Sequence, residues 1–71
     1  MMTKAQLLEY FRDHEGCIFK NGVVNKSAIA EKLGILAQSL SSAPEDLTKY
    51  YMDCAIVYFV RNGKKVPKEF L

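Results

Sequence analysis

Leu7, Leu8 and Phe11 recur at the three- and four-residue spacing of one helical face. Ahead of them, Thr3-Lys4-Ala5-Gln6 has capping-box spacing, in which the Thr3 hydroxyl and Gln6 amide satisfy free backbone donors. Gly16 offers a left-handed stop. The pattern predicts a first helix from about Lys4 to His14. In the stretch from Cys17 to Val24, Asn21-Gly22 lies between two short β-prone runs. Asn-Gly supplies the positive φ angles of a two-residue hairpin turn, so a short hairpin or a tight strand-loop is predicted. Asn25 is a good N-cap for a second helix, Lys26 to Leu33, whose Ile29, Ala30 and Leu33 share a face and which Gly34 closes.

Ile35 to Ser41 reads as a further short helix, with Leu36 and Leu40 four apart. Ser42-Ala43-Pro44-Glu45 repeats the capping-box pattern, and proline fits a first turn but not a helix interior. A new helix is therefore expected from about Ala43, turning Leu47, Tyr50, Tyr51 and Cys54 inward. Ala55 to Val60 loses that period and is rich in β-branched and aromatic residues. Asn62-Gly63 follows and Lys65 to Phe70 alternates weakly, which predicts a second hairpin from about Ala55 to Phe70. The competing reading is a single helix from Pro44 to Asn62, stopped by Gly63.

A chain of 71 residues allows one domain, spanning 1–71, with a thin core: roughly 60% of the extended chain's surface is buried at this size. Hydrophobic residues at 49% and charged residues at 25% argue against disorder. The longest apolar run, Cys54 to Val60, falls far short of the ~20 residues a membrane span requires. Met1-Met2-Thr3-Lys4 leads into an amphipathic segment without an apolar signal core. Two cysteines, Cys17 and Cys54, make no disulfide framework. These features predict a cytoplasmic domain with free thiols. The net charge of +2 decides little, but Arg61, Lys64, Lys65 and Lys68 fall close together, while no basic residue occurs between Leu33 and Thr48.

Ile29 to Ser41 carries the functional signal. Ala30 is small, Gly34 follows four residues later, and apolar Leu40 follows six beyond that. Ala30 lets a second helix cross closely, Gly34 permits the sharp turn, and Ile29, Leu33, Ile35 and Leu40 fill the angle. This segment resembles a helix-turn-helix, and with Gly22 to Asn25 before it and a predicted hairpin after it, the order resembles the winged-helix variety. The resemblance implies a mainly α single domain with a small β-hairpin, acting as a DNA-binding transcriptional regulator. On that reading Gln38, Ser39, Ser41 and Ser42 reach base edges, with Lys26 beside them. Arg61, Lys64 and Lys65 at the wing tip lie along phosphates. The segment from Leu36 to Ser42 is short, however, and holds no Arg or Lys, the commonest specific partners of guanine. A nearly uncharged face of this kind also suits a protein partner, which makes a protein–protein interaction module, a small adaptor or inhibitor, the alternative on the same scaffold. A second copy of the chain is a further candidate partner.

Other chemistry has weaker support. His14 and Cys17 are three apart, but a structural zinc needs four ligands and no second clustered pair exists. Cys17 as a nucleophile needs a placed base and an orienting group that the spacing does not supply. Tyr50, Tyr51, Tyr58 and Phe59 beside Lys49 and Arg61 read as core and tyrosine rim before they read as a base-stacking surface. The glycines stand alone and form no phosphate loop. No enzyme, cofactor or metal is expected.

Overall fold

In the computed structural model, which describes residues 2–71, four helices and a terminal 3-10 turn carry the chain: α1 (Lys4–His14), α2 (Lys26–Leu33), α3 (Ala37–Ser41), α4 (Lys49–Arg61) and the turn Lys68–Phe70. Met1, where the N-terminal reading began, lies outside the described residues. The first two helices have the bounds their capping signals predict. The Thr3 hydroxyl accepts from the Gln6 amide at 3.2 Å while the Gln6 side chain accepts from the Thr3 N–H at 2.9 Å. The Asn25 side chain accepts from Ala28 N–H at 3.0 Å. Gly34 adopts φ 72°, and the N–H groups of Gly34 and Ile35 donate to the carbonyls of Glu31 and Ala30. That pair of bonds closes α2 as a Schellman motif, with glycine where an L side chain is strained.

The segment 17–25 is a tight strand-loop, but Asn21-Gly22 does not form the predicted two-residue turn. Gly22 N–H donates to the Phe19 carbonyl and Phe19 N–H to the Val23 carbonyl, which leaves three residues in the loop. Only Gly22 takes positive φ, at 86°. Asn21 instead accepts from Val23 N–H at 3.1 Å, so its side chain closes the turn that its backbone was expected to bend. Among the described residues the β pairing is limited to the isolated bridges Ile18–Val24 and Thr3–Asp46.

Two expectations in the second half are corrected. No helix begins at Ala43. The Ser42 N–H is already committed to the Gln38 carbonyl, and Ser42 sits in helical backbone as the C-cap of α3 rather than in the extended backbone of an N-cap. The next residues run across the start of α1, with Lys4 N–H on the Glu45 carbonyl at 2.7 Å and Leu47 N–H on the Met2 carbonyl at 3.3 Å. Burial of Ala43 and Leu47 in that position overrides the local capping pattern.

The C-terminal hairpin is also absent. Residues 55–61 continue α4, Gly63 stops it at φ 66°, and the chain runs without regular structure to the 3-10 turn. The competing single-helix reading holds for the helix and its stop, with a start at Lys49 instead of Pro44. Ala55, Tyr58 and Phe59 are buried at helical spacing, whereas Val57 and Val60 face solvent. Two of the three β-branched residues that suggested a strand thus lie on the outer side, where packing does not select them, while Ile56 packs half-buried against the core. Tyr50, expected inside, is 59% exposed.

The core joins all four helices. α2 packs on α3 and on α4, and the 3-10 turn folds back on α4. Phe11, Phe59 and Phe70 are fully buried, with Tyr10 edge-on to Phe70 at 5.3 Å and Phe59 against Phe70 at 5.2 Å. No described helix is long and apolar enough to cross a membrane. Phe70→Ala is expected to cost about 3–5 kcal/mol by opening this cluster. Leu71→Ala, at an exposed neighbour, is expected to stay within about 0.5 kcal/mol of wild type. Thermal melts of the two variants measure the contrast.

Candidate functional site

The helical corner sets the first group of candidate residues. α2 ends at Gly34, and α3 starts after extended Leu36, which is 75% exposed. Gln38, Ser41 and Ser42 are exposed and Ser39 is half-buried, its carbonyl accepting from the Tyr51 hydroxyl at 3.3 Å. α3 carries no charge, and its C-terminal end is held by Lys4, whose ammonium donates to the carbonyls of Ser41 at 3.1 Å and Ala43 at 3.0 Å. A cation on the last carbonyls of a helix suits both their lone pairs and the negative end of the dipole.

The remaining candidates lie elsewhere. Lys26 is the exposed first residue of α2. Arg61 ends α4, with Lys64 and Lys65 just beyond it. The contact between α4 and α3 is at Tyr51, ten residues before Arg61, or about 15 Å along the helix. The hydrogen bond that joins α4 to α3 is thus nearly three helical turns from the basic end of α4.

Lys64 has a further engagement that its sequence neighbourhood does not show. Its ammonium donates to Glu15 at 2.5 Å, and the Tyr58 hydroxyl donates to the same carboxylate oxygen at 2.6 Å. The Glu15 side chain is only 6% exposed. Lys32 and Lys64 both lie over the Tyr58 ring, at 5.3 and 5.6 Å from its centre. Burial disfavours the Glu15 anion, but the hydrogen bonds from Lys64 and Tyr58 outweigh it and hold its pKa below the ordinary value. The hydrogen bond to Glu15 raises Lys64 above its own ordinary value. Glu15 and Tyr58 were not among the sequence candidates as a pair. They are 43 residues apart and no local spacing links them.

The other candidate chemistry has other occupations in the fold. His14 packs against Tyr10 with ring centres 4.5 Å apart and the rings tilted by 37°. Cys17 is a free buried thiol near the Glu15 carbonyl, and burial raises its pKa, the opposite of what activates a nucleophile. Among the described residues no three of His, Cys, Asp and Glu gather as metal ligands. Tyr58 and Phe59 belong to the core, Tyr51 is half-buried, and Tyr50 is exposed beside an open groove between α2 and α4. No protein-family model matches the chain, and neither a curated protein nor a solved structure matches it.

The Glu15 cluster makes stability pH-dependent in a definite sense. The Glu15 contribution is complete above the ordinary carboxylate pKa of about 4.3 and is lost as pH falls through its lower folded value. The Lys64 contribution is complete below about 10.4 and is lost as pH rises through its higher folded value. Tyr58→Phe is expected to lower stability by about 1.5–3 kcal/mol at neutral pH, the worth of a hydrogen bond to a charged group. Glu15→Gln is expected to flatten the acid limb of the melting-temperature profile. Melts by circular dichroism across the acid range check both, and a Tyr58→Phe profile equal to wild type contradicts the bond.

Proposed function

We propose that this domain is a protein-interaction module, a small adaptor or inhibitor that contacts its partner through the outer face of α3. One observation carries the reading: Leu36 to Ser42 projects from the corner without a single charge and with Leu36 three-quarters exposed. Surfaces depleted in charge and centred on an apolar side chain suit a protein partner better than a phosphate backbone. Lys64, one of the three cations expected to meet phosphate, spends its charge on Glu15.

Duplex DNA is the second reading, favoured by a different observation. Lys20, Lys26, Lys32, Arg61, Lys65 and Lys68 make no ion pair among the described residues. Gln38 is exposed on a helix that follows a glycine corner, as base recognition by a helix-turn-helix requires. Without a hairpin at the C-terminus, the phosphate contacts of that reading fall to Lys26 and to the end of α4 rather than to a wing.

Two measurements separate the readings. The interaction module predicts no salt-dependent affinity in fluorescence-anisotropy titrations of duplex DNA. It also predicts a protein captured from nuclease-treated lysate that Leu36→Asp loses and Lys65→Ala keeps. Duplex affinity falling with salt by roughly 0.9 in log–log slope per phosphate contact, and weakened by Lys26→Ala and Gln38→Ala, contradicts it in favour of DNA.

A further inference from the structure

Every residue from Ile18 to Val23 is exposed, and this short stretch holds three large apolar side chains. Ile18 is 46%, Phe19 51% and Val23 53% exposed. Val24, next in the chain, packs against the core, so the residues before it form a tip that the fold does not cover. The tip is preformed. Phe19 N–H donates to the Val23 carbonyl at 2.8 Å, Gly22 N–H to the Phe19 carbonyl at 2.9 Å, and Val23 N–H to the Asn21 side chain at 3.1 Å. Backbone groups already paired with one another lose little on leaving water.

Shape and charge together say what meets this tip. Ile18 is bridged to Val24, and neighbours along an extended backbone turn to opposite faces, so Ile18 and Phe19 leave apolar surface on both sides. A flat protein partner covers one side of such a tip, whereas a fluid apolar phase surrounds it. No Asp or Glu lies between Glu15 and Glu31, while Lys20 sits on the turn and Lys26 opens α2. Neither lysine makes an ion pair among the described residues. Lys26 stands at the positive end of the α2 dipole, where a cation does nothing for the helix itself. Long lysine stems also let the ammonium groups stay among polar headgroups while apolar neighbours go deeper.

We propose that this loop inserts its tip into the surface layer of an anionic lipid bilayer. Ile18, Phe19 and Val23 reach the acyl boundary, and Lys20 and Lys26 rest on the headgroup anions. The domain then lies on the bilayer rather than across it. Three half-exposed side chains and two cations make a weak, reversible anchor. The loop precedes α2 and the α3 corner follows it, so eight residues of helix, about 12 Å, separate the two surfaces. Lipid contact does not depend on what the α3 face binds.

The chain has no tryptophan, so Phe19→Trp places a single fluorescent reporter at the tip. The probe is phosphatidylcholine vesicles containing about a third phosphatidylserine, titrated to about 5 mM lipid. Reporter emission is expected to shift to the blue and to be quenched by lipids brominated high on the acyl chain. Wild type is expected to co-sediment with these vesicles and far less with phosphatidylcholine alone. Phe19→Ser combined with Val23→Ser is expected to lower the partition coefficient at least about tenfold. Lys20→Glu combined with Lys26→Glu is expected to remove the preference for anionic vesicles, and Leu36→Asp to change nothing. The side chains replaced are all exposed, and circular dichroism spectra check that each variant keeps its helices. A wild type that stays in the supernatant, equal binding to neutral vesicles, or binding untouched by the paired serines each overturns the assignment. So does a reporter that answers a single-stranded oligonucleotide and not the vesicles.

Discussion

Phe11 of α1, Phe59 of α4 and Phe70 of the terminal turn meet with ring centres 5.2 to 6.1 Å apart, and the rest of the molecule is arranged around that contact. Each ring comes from a different part of the chain, so none of the three elements buries its apolar side alone. Packing Phe59 there sets the rotation of α4: Ala55 and Tyr58 turn inward with it, and Tyr50, Val57 and Arg61 turn outward. Tyr58 then reaches Glu15 at the end of α1, and the chain after Gly63 brings Lys64 to the same carboxylate. For a domain this small, with so few buried side chains, one shared aromatic contact accounts for a large part of the apolar burial available.

The parts legible in the sequence are those fixed by neighbours within a few residues. Thr3 with Gln6, Asn25 and Gly34 each satisfy or bend backbone groups close by, and all of them act as their residue types predict. The helical corner of the candidate site was legible for the same reason. Where the reading failed, a distant partner decided. Ser42-Ala43-Pro44-Glu45 has every local mark of a helix start, yet Ser42 ends α3 and the residues after it are held against the start of α1 by the Lys4–Glu45 and Leu47–Met2 backbone bonds. Val57 and Val60 favour strands, yet they occupy the side of α4 that the core does not touch. Lys64 looked like a free cation because its carboxylate lies 49 residues earlier.

These partnerships also distribute charge in a way that bears on function. Lys4 closes the end of α3 and Lys64 neutralises a nearly buried carboxylate, so two cations serve the fold itself. What remains outside is an uncharged corner at α3, a basic end to α4, and an apolar stripe along α4 between Tyr50 and Arg61. The stripe is a consequence of the rotation of α4 against the aromatic cluster, whereas the corner follows from the glycine stop at Gly34. A strand in place of α4 would alternate the same residues to both faces and abolish the stripe.

The central claim is thus that residues 49–61 are one helix turned by Phe59 into the core. Backbone assignment by nuclear magnetic resonance, with Cα secondary shifts and amide exchange, tests it most directly. The account predicts unbroken helical shifts from Lys49 to Arg61, slow exchange at Tyr58 and Phe59, and aromatic contacts from Phe59 to Phe70 and Phe11. Extended shifts from Ala55 to Val60, with cross-strand contacts to residues 65–70, would contradict it.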